Sequence, residues 1–269
     1  MSAISPLAHV HPNANISSNV TIEPFAVIHD EVTIGEGSHI MSHAVIMSGT
    51  TVGKSCVVFP GAVLGAIPQD LKFVGEKTTV EIGDHTTIRE CVTINRGTKE
   101  KWKTVVGSHC LLMAYTHIAH DCILGDHVIL ANAVQLAGHV EVGDHAIIGG
   151  LSGAQQFSRI GAHTYIAGNA VIRKDIPPYI KSAREPMSYA GVNIVGLTRS
   201  GFTKEKIQEI SDIYHVLFLD KNTTSVALEN IEKSFAPSAE RDAILQFVRS
   251  SKSGIIRRPS KINDADNPF

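Results

Sequence analysis

Two histidines and an aspartate in residues 116–122, THIAHDC, are the residues of this chain best suited to chemistry. Histidine exchanges protons near neutral pH, and an adjacent carboxylate can orient its ring and support its charged form. His117, His120 and Asp121 could therefore supply a general base with its orienting partner. The chain contains 14 histidines, so the three could equally be surface residues of a repeating scaffold. The elements that carry them decide between these interpretations.

A six-residue repeat runs through the first two thirds of the chain. Stepping by six from Ile4 to Ile172 samples 29 positions, of which 25 are Ile, Leu or Val. Four residues after each aliphatic position comes a smaller residue, as at Ala8, Ala26 and Ala44. The period fits neither an α-helix nor a simple β-meander, but one short strand and one turn per repeat keep both positions on the same side.

Three such repeats make a triangular coil of 18 residues, and stacked coils form three parallel sheets with layers about 4.8 Å apart. The segments IGEGSH, VGKSCV, LGDHVI and VGDHAI resemble the hexapeptide-repeat proteins. That resemblance implies a left-handed parallel β-helix and a trimer, whereas the general rule for parallel crossovers would favour the opposite hand. The predicted fold is therefore an all-β left-handed parallel β-helix over residues 1–176, followed by a C-terminal α-helical domain over residues 177–269.

Two polar interruptions keep the repeat in frame and predict loops near residues 65–81 and 95–105 that leave the β-helix. Loops on a rigid scaffold often carry the binding residues. The repeat ends at DIPPYI, because two prolines break the strand pattern. The spacing of Ile207, Ile210 and Phe218 predicts a helix, and further helices are expected around 224–235 and 238–251. From Arg257 onward the chain is predicted to be a loose polar tail.

The composition argues against several classes of protein. The net charge of −2 gives no support for binding to nucleic acid or to an anionic membrane. No apolar run approaches the roughly 18 residues that span a bilayer, and the start of the chain lacks a signal-peptide pattern, so we expect a cytoplasmic protein without stable membrane insertion. The four cysteines are expected to be reduced, and Cys56, Cys110 and Cys122 fall at the smaller inward position of the repeat.

Residues 18 apart should lie in neighbouring coils on one face, so the repeat predicts which side chains meet. His120 is expected beneath Gly138, Gly138 beneath Gln156, and Asp121 beneath His139. A glycine amide that no side chain shields can donate a hydrogen bond to a developing oxyanion. These residues together have the groups that acyl transfer requires.

A second set of histidines has the same spacing. His109, His127, His145 and His163 predict a four-layer column at the turns. Solvated turn residues are the simplest explanation. The alternative is a metal-binding or pH-sensitive seam between subunits, because imidazoles in layers about 4.8 Å apart would lie near one another.

Several segments, in order across nearly the whole chain, resemble the UDP-N-acetylglucosamine acyltransferases, which begin lipid A synthesis. They are IPQDLKFVGE, VEIGDHTTIRECVTINRGT, HIAHDC, LAGHVEVGD, AIIGG, DIPPY and GVNIVGLTRSGF. The resemblance implies transfer of an (R)-3-hydroxyacyl chain from acyl carrier protein to the 3-hydroxyl of UDP-N-acetylglucosamine. It implies no metal and no resident cofactor, because the acyl donor arrives on the phosphopantetheine of the carrier protein. It also implies sites between the subunits of a homotrimer.

The same resemblance implies a role for each matching residue. His120 would be the general base, Asp121 would orient it, and the Gly138 amide would hold the oxyanion. The sugar and acyl-chain contacts would be Asp70, Lys72 and His139, and the nucleotide contacts would be Gln156, Asn193 and Arg199. A guanidinium such as that of Arg199 suits a diphosphate. Gly168 would limit the acyl length and, lacking a side chain, favours a longer chain, while His117 would contact the pocket or support its neighbour.

Four residues depart from the family pattern, in which two histidines, a glutamate and a second arginine are common: Asn95, Gln155, Val195 and Ser200. They remove a carboxylate and a cation from the expected nucleotide pocket and leave open a 3-amino UDP-sugar as acceptor. A zinc enzyme of the γ-carbonic-anhydrase type is an alternative with the same fold, but its paired ligands are spaced more widely than His117 and His120. A non-catalytic scaffold is the other alternative.

Overall fold

The computed structural model describes residues 2–220 and 222–256. The predicted polar tail from Arg257 lies outside the described residues. Most of the chain forms a left-handed parallel β-helix of short strands, and a small α/β region follows it. The predicted fold class is therefore confirmed.

Three sheets form the faces of the β-helix. Sheet 1 contains β1 (Ala3–Ile4), β4 (Thr21–Ile22), β7 (His39–Ile40), β10 (Val57–Val58), β13 (Thr87–Ile88), β16 (Leu111–Leu112), β19 (Ile129–Leu130), β22 (Ile147–Ile148) and β25 (Tyr165–Ile166). Sheet 2 contains β2 (His9–Val10), β5 (Val27–Ile28), β8 (Val45–Ile46), β11 (Val63–Ala66), β14 (Thr93–Asn95), β17 (His117–Ile118), β20 (Gln135–Leu136), β23 (Gly153–Ala154) and β26 (Val171–Ile172). Sheet 3 contains β3 (Asn15–Ile16), β6 (Thr33–Ile34), β9 (Thr50–Val52), β12 (Thr79–Ile82), β15 (Lys103–Val106), β18 (Ile123–Leu124), β21 (Glu141–Val142) and β24 (Arg159–Ile160).

The strands pair in the register that the repeat predicts. Ile118 pairs with Leu136, 18 residues later, and every regular coil keeps this offset. The offset grows where a loop is inserted, as in the pairing of Leu64 with Ile94. Both insertions, residues 67–78 and 96–102, leave the β-helix where the chain passes from sheet 2 to sheet 3. We call this edge the 2–3 corner, and we name the 1–2 and 3–1 corners in the same way.

The interior of the β-helix is aliphatic and contains both inward positions of the repeat. Side chains such as Ile22, Ile28 and Leu112 are fully buried, and so are smaller residues such as Ala26 and Ala44. Cys56, Cys110 and Cys122 lie in this core as free thiols, whereas Cys91 is exposed. The cross-section is narrow, so one large and one small aliphatic residue per repeat fill it without aromatic rings.

The C-terminal region joins sheet 1 and then turns helical. Two strands extend sheet 1, β27 (Ile180–Ala183) parallel to β25 and β28 (Ser188–Val192) antiparallel to β27. The helices are α1 (Ile194–Arg199), α2 (Lys204–Tyr214), a π-helical turn (His215–Leu219), α3 (Thr224–Ser234) and α4 (Ala239–Arg249). The three predicted helical segments are confirmed, and the hairpin and α1 were not predicted. No helix within the described residues is long and apolar enough to cross a membrane.

Caps and one buried contact fix the helices to the β-helix. Thr203, Thr223 and Ser238 cap α2, α3 and α4 by accepting hydrogen bonds from first-turn amides. The Tyr214 hydroxyl at the end of α2 donates to the Pro178 carbonyl at 2.6 Å. The helices are thereby placed at one end of the β-helix, over the last coils.

Candidate active site

His120 and Asp121 form a buried pair at the 2–3 corner, in the turn between β17 and β18. His120 Nδ1 lies 2.8 Å from Asp121 Oδ2, and both residues are buried. Because the carboxylate accepts this hydrogen bond, Nδ1 carries the proton and the Nε2 lone pair is free. Within residues 2–220 and 222–256, His120 Nε2 has no hydrogen-bond partner. The pair thus has the geometry of a general base with its orienting group.

The Asp121 carboxylate is ionised and held by several donors. The Thr98 amide donates to Oδ1 at 2.9 Å, and the Thr98 hydroxyl donates to Oδ2 at 2.6 Å. Burial by itself raises the pKa of Asp121, but the hydrogen bonds from Thr98 and His120 outweigh it and hold the pKa below its usual value. A buried carboxylate that stays charged can stabilise an imidazolium beside it.

Gly138 lies against the His120 ring, one coil further along the 2–3 corner. A Cβ atom at position 138 would come within 2.6 Å of His120 Cε1 and 2.7 Å of Nε2. Gly138 does not have a positive φ, so steric room and not backbone conformation requires glycine here. Its N–H has no partner in the described part of the chain. An unshielded amide beside a free Nε2 suits an oxyanion that forms next to the base.

His139 borders the pair from the next coil. Its Nε2 lies 3.7 Å from Asp121 Oδ2, and its ring meets the His120 ring edge-on with centroids 5.1 Å apart. The Phe157 ring stacks on His139 with centroids 4.5 Å apart. Burial lowers the pKa of His139, although Asp121 opposes the shift. His139 is therefore neutral at pH 7 and able to donate or accept a hydrogen bond.

His117 faces outward from sheet 2, on a groove beside the corner. Its Nδ1 lies 2.7 Å from the Thr93 hydroxyl, and burial together with repulsion by His120 lowers its pKa. The groove has a volume of about 580 Å³ and is also lined by Gln155 and Val171. A second cavity of about 600 Å³ lies on the sheet 3 side of the corner, where its lining includes His139. Openings therefore flank the base on both sides.

The remaining predicted residues divide between corners. The loop at 67–78 protrudes from the 2–3 corner two coils before His120 and carries Asp70 and the exposed Lys72. Gln156 is exposed at the same corner two coils after His120. Gly168 is exposed at the 1–2 corner. Asn193 caps α1 and donates from Nδ2 to the His163 carbonyl at the 3–1 corner, where Arg199 is exposed at the end of α1. The three corners belong to one narrow prism, so a single chain does not bring all these residues together.

The four departures from the family pattern lie in different places. Gln155 is exposed on the groove with His117. Asn95 is buried, and its Nδ2 donates to the Ile67 carbonyl at 3.1 Å, where the first loop begins. Val195 and Ser200 are exposed on and just after α1. Two departures therefore belong to the 2–3 corner and two to the 3–1 corner.

The predicted histidine column is present and longer than expected. His85 adds a fifth ring, and successive rings from His85 to His163 stack with centroids 4.5–4.8 Å apart. These residues occupy turns with positive φ, such as 57° at His109. Histidine, asparagine and aspartate are enriched in that conformation, which explains their recurrence at this position. The column lies along the 3–1 corner, away from His120, and its binding of a metal remains a hypothesis.

One group within the described residues has the composition of a metal site, namely His120, Asp121 and His139. Its carboxylate is already occupied, because Asp121 accepts hydrogen bonds from Thr98 and His120 on its two oxygens. A metal there would have to displace these bonds. The donor set therefore fits a hydrogen-bonded base better than a zinc ligand set.

Sequence analysis assigned no role to Thr98 or Lys101, although both donate to Asp121 from the loop at 96–102. The segment TINRGT could have indicated this contact, because it reaches the 2–3 corner one coil before THIAHDC. Inserted residues have no place in the 18-residue register, so their neighbours could not be read from the repeat.

Comparison with known proteins agrees with the fold. Residues 175–256 match the family model described as UDP N-acetylglucosamine O-acyltransferase, domain 2, and residues 13–47 and 103–138 match the bacterial transferase hexapeptide model. Acyl-[acyl-carrier-protein]–UDP-N-acetylglucosamine O-acyltransferases are similar along nearly the whole chain. That of Chlorobaculum parvum is 56% identical over 94% of this chain and 97% of its own. That of Myxococcus xanthus is 43% identical over 96% of this chain and all of its own.

A solved structure has the same overall fold. The crystal structure of a UDP-N-acetylglucosamine acyltransferase from Bacteroides fragilis superposes with a TM-score of 0.93 at 47% identity, covering 94% of this chain and 99% of the other. The β-helix and the matching family models define a hexapeptide-repeat acyltransferase. Within that class, the chain belongs to the family of acyl-[acyl-carrier-protein]–UDP-N-acetylglucosamine O-acyltransferases.

Proposed function

We propose that this protein transfers an (R)-3-hydroxyacyl chain from acyl carrier protein to the 3-hydroxyl of UDP-N-acetylglucosamine, the first step of lipid A synthesis. The observation that carries the proposal is the arrangement of His120, Asp121 and Gly138, with a hydrogen-bonded Nδ1, a free Nε2 and an unshielded amide at one place. The names of the relatives support the substrates.

The geometry supports the following reaction. His120 Nε2 takes the proton of the sugar hydroxyl while that oxygen attacks the thioester carbon. The carbonyl oxygen becomes an oxyanion and accepts a hydrogen bond from the Gly138 amide. Collapse of the tetrahedral intermediate breaks the carbon–sulfur bond, and the thiolate of the phosphopantetheine takes the proton from the His120 imidazolium. Asp121 stabilises that imidazolium between the two proton transfers.

Other residues at the 2–3 corner would hold the substrates. His139, Asp70 and Lys72 are proposed to contact the sugar and the acyl chain, and His117 would line the same pocket beside its groove. Gln156 is proposed to contact the nucleotide. No metal or resident cofactor takes part in this proposal, because the carrier protein supplies the activated acyl group.

The homotrimer is part of the proposal, because the assigned residues occupy three corners of one chain. Gly168, Asn193 and Arg199 would reach the substrates bound at the 2–3 corner only from a neighbouring subunit. A threefold arrangement of parallel prisms places different corners of adjacent subunits against each other, with one site at each of the three clefts. Gly168 would then set the end of the acyl groove, and Arg199 would meet the diphosphate.

Two further assignments remain proposals. The first is the division of the chain into a β-helix over residues 1–176 and a helical C-terminal domain over residues 177–269. The cytoplasm is proposed as the site of action, because this reaction uses acyl carrier protein and a nucleotide sugar.

A 3-amino UDP-sugar is the second candidate acceptor. It is favoured by Gln155, which is exposed on the groove beside His117 at a position where histidine is common. An amine acceptor would give an amide instead of an ester, by the same attack on the thioester.

A transfer assay tests the function. The purified protein is incubated with (R)-3-hydroxyacyl carrier proteins of several chain lengths and with UDP-N-acetylglucosamine or its 3-amino analogue, and products are identified by mass spectrometry. We expect an acylated nucleotide sugar that mild base hydrolyses with the first acceptor, as an ester should. Absence of product with every donor and both acceptors would exclude the proposal. Product with the amino analogue alone would show that the acceptor is the 3-amino UDP-sugar.

A further inference from the structure

The loop at 96–102 closes onto Asp121 from outside the β-helix. Besides the two hydrogen bonds from Thr98, the Lys101 amide donates to Asp121 Oδ1 at 3.2 Å. In β15, which follows the loop, the Thr104 hydroxyl accepts a hydrogen bond from the Asp121 amide at 2.9 Å. Both the inserted loop and the strand after it are thus hydrogen-bonded to Asp121.

Thr98 contributes more of these bonds than any other residue of the loop. Its amide and its hydroxyl bind different oxygens of the carboxylate, so together they fix the plane of the group. Oδ2 is the oxygen that also accepts the hydrogen bond from His120 Nδ1. The orientation of the imidazole therefore depends on a carboxylate oxygen that Thr98 holds in place.

Solvent cannot replace this contact. Asp121 has no exposed surface, and Thr98 is 5% exposed. A buried carboxylate that loses a donor keeps an unsatisfied lone pair unless it rotates toward another group. Either outcome changes the position or the charge distribution of the oxygen that faces His120.

A chain of ion pairs holds the loop against sheet 3. Lys101 Nζ lies 2.8 Å from Glu141 Oε1, and Arg159 Nε lies 3.6 Å from Glu141 Oε2. The Arg159 guanidinium in turn lies over the Phe247 ring of α4, 4.5 Å from the ring centroid. These groups are partly exposed, so each pair contributes little by itself. The buried Thr98 contact is the part of the loop that bears on the reaction.

We propose that Thr98 is a positioning residue for acyl transfer, acting through the Asp121 carboxylate on the orientation of His120. The inference rests on the proposed function. Thr98 is separated from the reacting atoms by Asp121 and His120, so its loss should lower the rate of the chemical step and leave substrate binding unchanged.

The test compares three variants in the transfer assay. Thr98→Val keeps the shape of the side chain and removes the hydroxyl, and we expect kcat to fall about ten- to a hundredfold, as for loss of one hydrogen bond to a charged group. KM for both substrates should stay within about twofold. Thr98→Ser retains the hydroxyl and should restore kcat to within about threefold of the native value. Thr98→Ala serves as the second hydroxyl-free variant if Thr98→Val does not fold.

Thr86→Val is the matched control. Thr86 is fully buried, donates to the Gly107 carbonyl at 2.8 Å and accepts from the Cys110 amide, but it lies at the 3–1 corner. It should lower the thermal midpoint by a few degrees without lowering kcat. A native kcat in Thr98→Val, an equal loss in Thr86→Val, or a rise in KM that accounts for the loss would each overturn the inference. A native protein without transfer activity would instead contradict the proposed function itself.

Discussion

Gly138 lies so close to the His120 ring that a Cβ atom at residue 138 would be 2.6 Å from His120 Cε1, closer than van der Waals contact allows. Any side chain at residue 138 must therefore displace the imidazole or the turn that carries it. We predict that Gly138→Ala lowers kcat about a hundredfold or more, because the base and the oxyanion donor move apart. The backbone can accept alanine here, so circular dichroism and the thermal midpoint should stay close to native. Native activity in this variant would show that the amide and the ring need not be in contact.

Replacing the proposed base should remove the reaction and spare the fold. We predict that His120→Ala lowers kcat about a hundred- to ten-thousandfold, the usual contribution of a general base. His127→Asn is the matched control, since it removes an exposed imidazole from the column and supplies a residue that tolerates the left-handed turn. Its activity should stay within about twofold of native. Size-exclusion chromatography checks that both variants keep the native oligomeric state.

Sites shared between subunits should allow complementation. His120→Ala and Arg199→Ala should each be nearly inactive as pure assemblies, whereas an equal mixture that is unfolded and reassembled should recover activity. In random trimers, roughly a quarter of the clefts would combine one native His120 with one native Arg199 from the neighbour. Recovery to about that fraction of native activity is expected in the transfer assay. If activity does not exceed the sum of the separate variants, each site belongs to one chain.

The histidine column should make the fold sensitive to acid. Burial lowers the pKa of His163 to about 4, and repulsion by His145 adds to the shift. Histidine in the unfolded chain titrates near 6.5, so below that pH the unfolded state binds more protons than the folded state. The stability that is present above about pH 6.5 is therefore lost as the pH falls toward 4. His163→Asn should therefore reduce, by a few degrees, the drop in thermal midpoint between about pH 7.5 and pH 5.

A histidine outside the column provides the comparison for this pH dependence. His43 occupies a similar left-handed turn, is exposed and stacks on Phe25 at 5.3 Å. His43→Asn should leave the acid-induced drop of the native protein unchanged. An equal effect of the two substitutions would mean that the column has no special part in acid sensitivity.

Metal removal should leave transfer unaffected. His120 Nδ1 and the two Asp121 oxygens already form hydrogen bonds with each other and with Thr98. We expect dialysis against a chelator to leave kcat unchanged, and added zinc to leave the thermal midpoint within about one degree. Activity that is lost on chelation and regained with zinc would favour the carbonic-anhydrase type of chemistry.

Much of the site could be predicted from sequence because the scaffold is periodic. A parallel β-helix with a constant coil length converts a separation of 18 residues into contact between neighbouring layers. That rule placed Gly138 beside His120 and His139 beside Asp121, and the structure has both contacts. The same rule predicted the histidine column, which the structure extends to His85.

The rule fails where the chain leaves the repeat. Thr98 lies in an inserted loop, and only the path of that loop in space brings its hydroxyl to Asp121. Asn193 and Arg199 follow the last coil, so no coil count assigns them to a corner. Their separation from His120 is a property of the tertiary structure.

The amino-acid sequence by itself determined the β-helix, its inward residues and the pairing of residues within regular coils, because aliphatic periodicity selects one register. Only the tertiary structure decided how the loop at 96–102 holds Asp121, and that Asn193 and Arg199 lie at another corner than His120. Both depend on contacts between segments that share no period, and such contacts are set by packing in three dimensions and not by spacing along the chain.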